Sequence, residues 1–370
     1  MKFSSLLPFA LCLAMTASCS SETLSAIGEL PELAGRNSYV EAPDTDTMTN
    51  TLNEDLYNAL SNYENTVEYP YTVPTSVIDD VLERIEDSYP DIFWINGYSL
   101  GTYGSERSDC EGYVIVLNDI PADQLRTMHQ QLLDKADSII AQIPPDYDDY
   151  QKVLYVHDYL IKNCKYCSEG ASSETNGTWG TAYGCLIEES AVCQGYSEAF
   201  LLLMNRMGID AGVCTGKSTR GGHAWNYVKI DGKYYWLDIT WDDPETENGT
   251  ALISHEYFLI NDDMLQRSRL LDDDQLFVPT CDSLDSNFFV RNNSYLTEYN
   301  IDLVRKAFET QGTSSESYEL MFADYDTYQT AMECLFTNGE IWDVGDLLKA
   351  EESVSYYTNE SLYTINIPNL

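Results

Sequence analysis

Ala191-Val192-Cys193-Gln194-Gly195-Tyr196 opens the stretch around which this chain is organised. The residues that follow are dense in apolar groups and predict a buried helix, with Ser190 as its N-cap and Gly208 as its stop. Cys193 then lies in the first helical turn, where unpaired backbone N–H groups and the helix dipole favour a thiolate. A lone cysteine here is more often a buried thiol, but the rest of the stretch makes Cys193 a candidate nucleophile.

The next part of the stretch predicts a β-hairpin. Aromatic and β-branched residues flank Asp231-Gly232, which is the strongest short-range signal for a two-residue turn. With that turn, His223 faces Thr240 and Trp225 faces Asp238. Because side chains alternate along a strand, His223 and Asp238 share a face at a diagonal spacing of about 7–8 Å.

These residues together form a candidate catalytic triad of Cys193, His223 and Asp238. We expect Asp238 to accept the Nδ1 proton of His223, so that the imidazole can hold the sulfur as a thiolate. His255 is a rival base, but it lies outside the hairpin and lacks a facing acid. His157-Asp158 is interpreted as structural, because adjacent residues on a helix point about 100° apart and do not pair with one another.

At these residues the chain resembles the bacterial transglutaminase-like superfamily, over about residues 150–265. The shared motifs are Tyr-Gly-Cys-Leu (183–186), Val-Cys-Gln-Gly-Tyr-Ser-Glu-Ala-Phe (192–200), Gly-Ile-Asp-Ala (208–211), His-Ala-Trp-Asn (223–226) and Tyr-Trp-Leu-Asp-Ile-Thr-Trp-Asp-Asp-Pro (235–244). The resemblance implies a papain-like core of a helix packed on an antiparallel sheet. It also implies Cys193 as nucleophile, His223 as general base and acid, and Asp238 as the residue that orients the imidazole.

The N-terminus predicts export. A single lysine, a short apolar run to Met15 and small residues before Cys19 are typical of a secretory signal, and the run is too short to span a membrane. Ala-Ser before Cys19 also resembles the bacterial lipoprotein signal, which would make this cysteine the lipidated first residue. The chain is therefore expected to be a cell-surface lipoprotein or, after ordinary cleavage, a secreted protein. Contact with a membrane is expected only through such a lipid anchor.

Composition and length favour a globular exported protein of several parts. Hydrophobic residues make up 44% of 370 residues, which is enough for a core. The formal charge of −41, from 20 Lys+Arg against 61 Asp+Glu, repels nucleic acid and makes nucleic-acid binding an unfavoured function. The predicted α+β organisation is a signal peptide (1–19), a polar tether (20–66), an N-terminal α/β region (67–145), a transglutaminase-like catalytic core (146–280) and a C-terminal α/β module (281–370).

Apolar periodicity predicts the elements outside the hairpin. Helices are expected at 53–63 (at most one short helix in the tether), 75–88, 122–142, 150–164, 302–311 and 325–335. Strands are expected at 92–95, 112–117, 256–260, 288–290, 318–323 and 353–367. Neither terminal region contains a catalytic motif, and His129 is interpreted as a surface residue.

The remaining cysteines favour a disulfide over a metal site. Cys164 and Cys167 lack the second close pair or the histidines that zinc would need. In an exported protein, a structural disulfide involving Cys164, Cys167 or Cys185 is the leading interpretation. The pairing stays open among Cys110, Cys164, Cys167, Cys185, Cys214, Cys281 and Cys334. No cofactor or metal is predicted, and Asp242-Asp243 lacks the spacing of a calcium loop.

The predicted reaction is acyl transfer through a thioester on amide bonds of peptides or proteins, with cell-wall peptide as one candidate substrate. Water as the acceptor would make the chain a peptidase or amidase, which we favour, whereas an amine would make it a cross-linking acyltransferase. Two non-catalytic alternatives are a surface binding protein on the same scaffold and an adhesin that works through its terminal regions.

Overall fold

The computed structural model describes residues 43–69, 71, 73–102, 112–116, 118, 120–173, 177–244, 253–273, 275, 277–350 and 352–369. The predicted signal peptide, Cys19, the first half of the predicted tether and Cys110 lie outside these residues. The described chain forms two compact units: residues 43–86 with 94–127, and residues 87–93 with 128–369. The predicted domain boundaries stay predictions.

The first unit contains a three-stranded antiparallel sheet of strand order β1-β3-β2. The elements from residue 45 to residue 140 are α1 (Thr45–Ser61), β1 (Thr66–Tyr69), α2 (Thr75–Ser88), β2 (Tyr98–Thr102), β3 (Gly112–Val116) and α3 (Ala122–Ile140). Residues 87–88 of α2 and 128–140 of α3 belong to the second unit. Helix α2 and the beginning and length of α3 agree with the prediction. The predicted strand at 92–95 is wrong, because these residues form a loop in which Ile92 and Trp94 are buried without joining a sheet.

Helix α1 is longer than the short helix predicted at 53–63. Asp44 caps its N-terminus by accepting a hydrogen bond from the backbone N–H of Thr47 at 3.0 Å. Leu52, Leu56 and Leu60 recur every four residues, which places them on one helix face, and all three are fully buried. Most residues between these leucines are polar, so the signal for this apolar face is weak in the sequence.

The second unit contains the remaining elements. Its helices are α4 (Asp149–Asn163), α5 (Ser168–Ala171), α6 (Ala182–Leu186), α7 (Cys193–Met207), α8 (Asp262–Leu265), α9 (Phe288–Arg291), α10 (Ile301–Gln311) and α11 (Tyr325–Met332). Its strands are β4 (Lys165–Tyr166), β5 (Ser190–Ala191), β6 (Ala211–Ser218), β7 (Gly221–Ile230), β8 (Lys233–Leu237), β9 (Phe258–Ile260), β10 (Arg269–Leu271), β11 (Tyr295–Leu296), β12 (Ser317–Phe322), β13 (Tyr357–Asn359) and β14 (Thr364–Pro368). Short 3-10 helices at Thr178–Gly180 and Glu340–Leu347 and a π-helical turn at Glu333–Thr337 complete it.

The centre of this unit is a five-stranded antiparallel sheet of order β10-β6-β7-β8-β9. The predicted hairpin is confirmed: Ile230 pairs with Lys233 and Asn226 with Leu237. Asp231 and Gly232 both have positive φ, at 50° and 81°, as this turn requires. Strand β8 ends at Leu237, however, so the predicted pairing of His223 with Thr240 does not form.

Helix α7 packs on this sheet through an almost wholly apolar surface. Its residues 195–204 are all buried, and Gly208 ends the helix in the left-handed conformation at φ 72°, as predicted. Asn226 on β7 joins helix to sheet, since its Nδ2 donates 3.1 Å hydrogen bonds to Ser197 O on α7 and to Gly212 O on β6. The α+β architecture of a helix on an antiparallel sheet is as predicted.

The C-terminal residues add a four-stranded mixed sheet of order β11-β12-β14-β13. Helices α10 and α11 and strand β12 lie where periodicity predicted them. The predicted strand at 288–290 is wrong, because Asn287 accepts a hydrogen bond from Phe289 N and caps helix α9. The single strand predicted at 353–367 is two strands, β13 and β14, joined by a turn with Tyr363 at φ 59°. Among the described helices, none combines the length and apolarity that crossing a bilayer requires.

Candidate active site

Cys193 is the first residue of helix α7. The residue before it, Val192, holds the N-cap position in extended conformation and gives no side-chain cap. Ser190 is therefore not the N-cap that the sequence predicted, because it lies in strand β5 and pairs with Lys165 on β4. The first backbone N–H groups of α7 have no partner within the helix, so they are available to an oxygen atom placed beside the sulfur. The side chain of Cys193 is partly exposed.

The loop before α7 fits closely against this first turn. The backbone N–H of Val192 donates to Trp179 O at 2.8 Å. A Cβ added to Gly195 would lie only 2.5 Å from the same Trp179 oxygen and 2.9 Å from Cβ of Ala191. Glycine at this position therefore lets the loop 178–180 approach the helix that carries Cys193.

His223 and Asp238 form the second part of the site. Nε2 of His223 lies 2.7 Å from Oδ2 of Asp238, and both side chains are buried. The expectation that Asp238 accepts the Nδ1 proton is wrong, since Nε2 is the ring nitrogen that faces the carboxylate. The other ring nitrogen, Nδ1, is therefore the one available to Cys193. A hydrogen bond between the side chains of Cys193 and His223 is one of the contacts that raise the pKa of His223. The structure thus brings the three predicted side chains together.

Arg269, on the edge strand β10, is part of this site and was missed in the sequence. Its Nε and Nη2 donate to Oδ2 of Asp238 at 3.1 and 2.6 Å. The guanidinium lies between two rings, 4.2 Å from the centroid of Trp241 and 4.6 Å from that of Tyr257. Trp241 also donates its backbone N–H to Oδ1 of Asp238 at 3.2 Å. Both carboxylate oxygens of Asp238 therefore accept hydrogen bonds.

The electrostatics of the pair favour an imidazolium beside a carboxylate. Burial would lower the pKa of His223, but the charge and hydrogen bond of Asp238, together with Cys193, outweigh it and raise that pKa to about 9. Burial would raise the pKa of Asp238, yet His223 and Arg269 hold it below its ordinary value. His223 is thus protonated at neutral pH in the folded chain.

Two tryptophans contact the imidazole of His223, and a tyrosine and an arginine lie nearby. Trp225 stacks on His223 with centroids 5.9 Å apart, and Trp241 meets the same imidazole edge-on at 6.2 Å. Burial and the nearby Cys193 raise the pKa of Tyr166 to about 12, so this phenol stays protonated. Arg220 is exposed and lies over Trp241, 4.9 Å from the ring centroid.

The other histidines lie away from this site. His157 does contact its neighbour Asp158, with Nδ1 3.0 Å from Oδ1, so the expectation that they do not pair is wrong. His255 has facing acids after all, since its Nδ1 lies 2.7 Å from Oε1 of Glu319 and its Nε2 3.2 Å from Oδ1 of Asp158. Neither of these contacts of His255 involves a thiol.

His129 is half-buried rather than a free surface residue. Its Nε2 lies 3.0 Å from Oδ2 of Asp91. The pair resembles the one formed by His223 and Asp238, but Asp91 and His129 are 38 residues apart and no sequence pattern linked them.

The predicted disulfide is absent from the described residues. All seven cysteines described carry free thiols: Cys164, Cys167, Cys185, Cys193, Cys214, Cys281 and Cys334. Cys164 and Cys185 are buried beside one another, and burial raises the pKa of Cys185, with the neighbouring thiol contributing in the same direction. Cys167 instead accepts a hydrogen bond from Gly170 N and caps helix α5.

The comparisons with known proteins agree with the motifs noted in the sequence. Residues 135–239 match the transglutaminase-like superfamily. No curated protein matches the sequence.

Several solved structures show similarity to part of this chain. A TGase is 15% identical with a TM-score of 0.28, over 47% of this chain and 50% of that one. A candidate cysteine protease from Cytophaga hutchinsonii is 15% identical with a TM-score of 0.27, over 52% of this chain and 81% of that one. A candidate protease from Parabacteroides distasonis is 14% identical with a TM-score of 0.22, over 43% and 42%. The chain thus spans about half the length of the TGase.

Proposed function

We propose that this chain, whose residues 135–239 match the transglutaminase-like superfamily, is a thiol enzyme that acts on amide bonds of peptides or proteins. One observation carries the proposal: Nε2 of His223 lies 2.7 Å from Asp238 while the other side of the ring is left for Cys193 at the start of helix α7. A nucleophile, a base and a residue that orients the base are the parts that covalent acyl transfer needs.

In the proposed first step, the thiolate of Cys193 attacks the amide carbonyl carbon. The backbone N–H groups at the start of α7 stabilise the oxyanion that forms. The imidazolium of His223 gives its Nδ1 proton to the departing nitrogen as the C–N bond breaks, which leaves a thioester and a free amine. Asp238 holds Nε2–H throughout and so fixes the ring in the orientation that points Nδ1 at the sulfur.

In the proposed second step, water attacks the thioester carbonyl carbon. His223 Nδ1 takes a proton from the water, the C–S bond breaks, and the released products are a carboxylic acid and the Cys193 thiolate beside an imidazolium. We favour hydrolysis because Cys193 is partly exposed and water can therefore reach the sulfur. An amine that attacks in place of water would yield a cross-linked amide by the same route.

The setting of this chemistry is also a proposal. The N-terminal signal favours an exported enzyme, either a lipoprotein of the cell surface or a secreted protein. Its substrates would then be exported or surface peptides, with cell-wall peptide as one candidate. The formal charge of −41 disfavours nucleic acid as a partner.

A peptide library incubated with and without an added primary amine tests the proposed activity by mass spectrometry. New carboxyl termini without incorporation of the amine identify a hydrolase, whereas incorporation identifies a cross-linking enzyme. The Cys193→Ala protein should give neither product. Turnover that persists in this variant would place the activity elsewhere in the chain.

Thiol labelling separates an enzyme from a binding protein on the same scaffold. At neutral pH, iodoacetamide should label Cys193 faster than Cys334, which is also partly exposed. His223→Ala should slow this labelling by roughly tenfold or more, because the thiolate loses its imidazolium. His129→Ala removes the histidine of a separate His–Asp pair and should leave the rate unchanged. Equal rates in all three proteins would support a non-catalytic scaffold.

A further inference from the structure

Two imidazoles in the second unit converge on a single carboxylate oxygen. Nδ1 of His157 lies 3.0 Å from Oδ1 of Asp158, and Nε2 of His255 lies 3.2 Å from the same atom. One donor atom from each of the three residues lies within 4.8 Å of the other two. His157 and His255 come from distant parts of the chain, and their rings stack with centroids 5.3 Å apart.

The far side of each ring is held by a second carboxylate. Nε2 of His157 lies 3.1 Å from Oδ2 of Asp242, and Nδ1 of His255 lies 2.7 Å from Oε1 of Glu319. The two carboxylates are fixed in turn, since Asp242 accepts from Tyr257 N at 2.9 Å and Glu319 accepts from His255 N at 2.9 Å. Histidines that bind a metal are typically oriented in this way, with the remaining ring nitrogen donating to a carboxylate.

We propose that His157, Asp158 and His255 bind a divalent transition metal, with zinc as the first candidate. A tetrahedral zinc ion, with bonds of about 2.0–2.1 Å, keeps its ligands about 3.3 Å apart, close to the observed 3.0 and 3.2 Å. Two imidazoles and one carboxylate suit zinc and neighbouring metals. The proposal is independent of the proposed enzymatic function, because the triad is not among the ligands.

Charge and access agree with a cation at this position. Asp158, Asp242 and Glu319 bring three carboxylates around two imidazoles, and a divalent ion would offset most of that negative charge. The side chain of His157 is fully buried, whereas that of Asp158 is 30% exposed. Asp158 thus provides a route from solvent to the three ligand atoms.

The position of the site points to a structural ion. Asp242, which orients His157, lies on the turn that follows β8, and its backbone N–H donates to Asp238 O at 3.2 Å. Its carboxylate also holds the backbone of Tyr257, whose ring contacts Arg269. A metal at His157, Asp158 and His255 would therefore fix the turn on which the carboxylate of the candidate triad lies.

The competing explanation is a network held by protons alone. The carboxylates of Glu319 and Asp158 raise the pKa of His255 to about 10 against the effect of burial, so an imidazolium could satisfy the same contacts. Metal content distinguishes the two explanations, because a proton network binds no zinc.

Equilibrium dialysis of the untagged Cys193→Ala protein against zinc, followed by elemental analysis, tests the site. The background variant removes the exposed active-site thiol as a ligand. We expect one zinc ion per chain, lost in His255→Gln and retained in His129→Gln, which alters a His–Asp pair outside the cluster. Cobalt bound in place of zinc should show tetrahedral d–d absorption without sulfur-to-cobalt charge transfer.

A variant next to the ligands covers the case in which His255→Gln fails to fold. Glu319→Gln keeps an oxygen acceptor for the ring of His255 but loses the charge, and should weaken zinc binding by about 10–100-fold. Zinc should also raise the melting temperature of the Cys193→Ala protein, and by less in Glu319→Gln. No bound zinc in the Cys193→Ala protein, or equal binding in Glu319→Gln and His129→Gln, would overturn the proposal.

Discussion

Arg269 donates two hydrogen bonds to Oδ2 of Asp238, at 3.1 and 2.6 Å, and so shares with His223 one oxygen of a fully buried carboxylate. The guanidinium is itself buried, with 0% of its side chain exposed. Removing one partner of a buried ion pair leaves the remaining charge poorly compensated and destabilises the fold. Arg269 thus supports the charge that orients the imidazole without being placed to touch a substrate.

Arg269→Gln should lower the free energy of unfolding by about 3–5 kcal/mol, because it removes one partner of a buried ion pair. Urea unfolding at neutral pH measures this change. Arg267→Gln is the matched control, since that guanidinium is exposed and lies over Tyr363 at 4.5 Å. It should change stability by less than about 1 kcal/mol. Equal stability of Arg269→Gln and the unaltered chain would mean that His223 alone satisfies Asp238.

Gly195→Ala should destabilise the chain by about 1–3 kcal/mol, because its methyl group would lie 2.5 Å from Trp179 O and 3.0 Å from Thr181 O. The displaced loop should also slow iodoacetamide labelling of Cys193, two residues away. Gly180→Ala is the control, since nothing lies within 4 Å of the added Cβ. The free energy of unfolding of Gly180→Ala should stay within about 0.5 kcal/mol of that of the unaltered chain. Similar losses in the two variants would argue against tight packing of the loop at Gly195.

The hairpin and the helix of the site could be predicted because their signals are local. Asp231-Gly232 determines the register of β7 and β8, and that register brings His223 and Asp238 near each other. Gly208 marks the end of the helix of Cys193 for a similar reason, since a left-handed residue there favours glycine.

The distant partners of Asp238 and of His255 could not be predicted, since no local pattern links them. Arg269 lies 31 residues after Asp238, and Glu319 lies 64 residues after His255. The choice of Nε2 over Nδ1 in His223 depends on how the ring turns between α7 and the sheet, which alternation along a strand does not specify. Ser190 has the composition of an N-cap, but its backbone pairs with β4 and so leaves that position to Val192.

Asn226→Asp should be more destabilising than Asn226→Ala. The buried Nδ2 donates to Ser197 O and Gly212 O, so an aspartate would place a charged acceptor against two carbonyl oxygens. We expect the free energy of unfolding to fall by more than about 3 kcal/mol for aspartate and by about 1–3 kcal/mol for alanine, as measured by urea unfolding. Alanine removes the donor but introduces no repulsion.

The control for the added charge is Asn163→Asp. This exposed amide also donates to a backbone carbonyl, Tyr159 O at 2.8 Å. Because water can solvate the new carboxylate, we expect a loss below about 1 kcal/mol. If alanine and aspartate at position 226 cost the same, the amide does not hold helix α7 to the sheet through its donor.

The stability that His223 contributes should fall as the pH rises. Its pKa is about 9 in the folded chain, against about 6.5 for an unperturbed histidine, so between these values the folded state binds more protons than the unfolded state. Stability then decreases with increasing pH. The imidazolium makes its full contribution to the free energy of unfolding below about pH 6.5, and this contribution is lost by about pH 9. The decrease is on the order of 3 kcal/mol.

His223→Gln isolates this contribution, because glutamine can donate to Asp238 but does not titrate. The difference in free energy of unfolding between the unaltered chain and His223→Gln should therefore be largest near pH 6 and shrink toward pH 9, as urea unfolding at each pH would record. Other titrating groups are common to both proteins and largely cancel in the difference. A difference that stays flat from pH 6 to pH 10 would mean that folding does not raise the pKa of His223, so that the imidazole is largely neutral above pH 7. In that case the thiolate of Cys193 would lack the cation that the proposed first step requires.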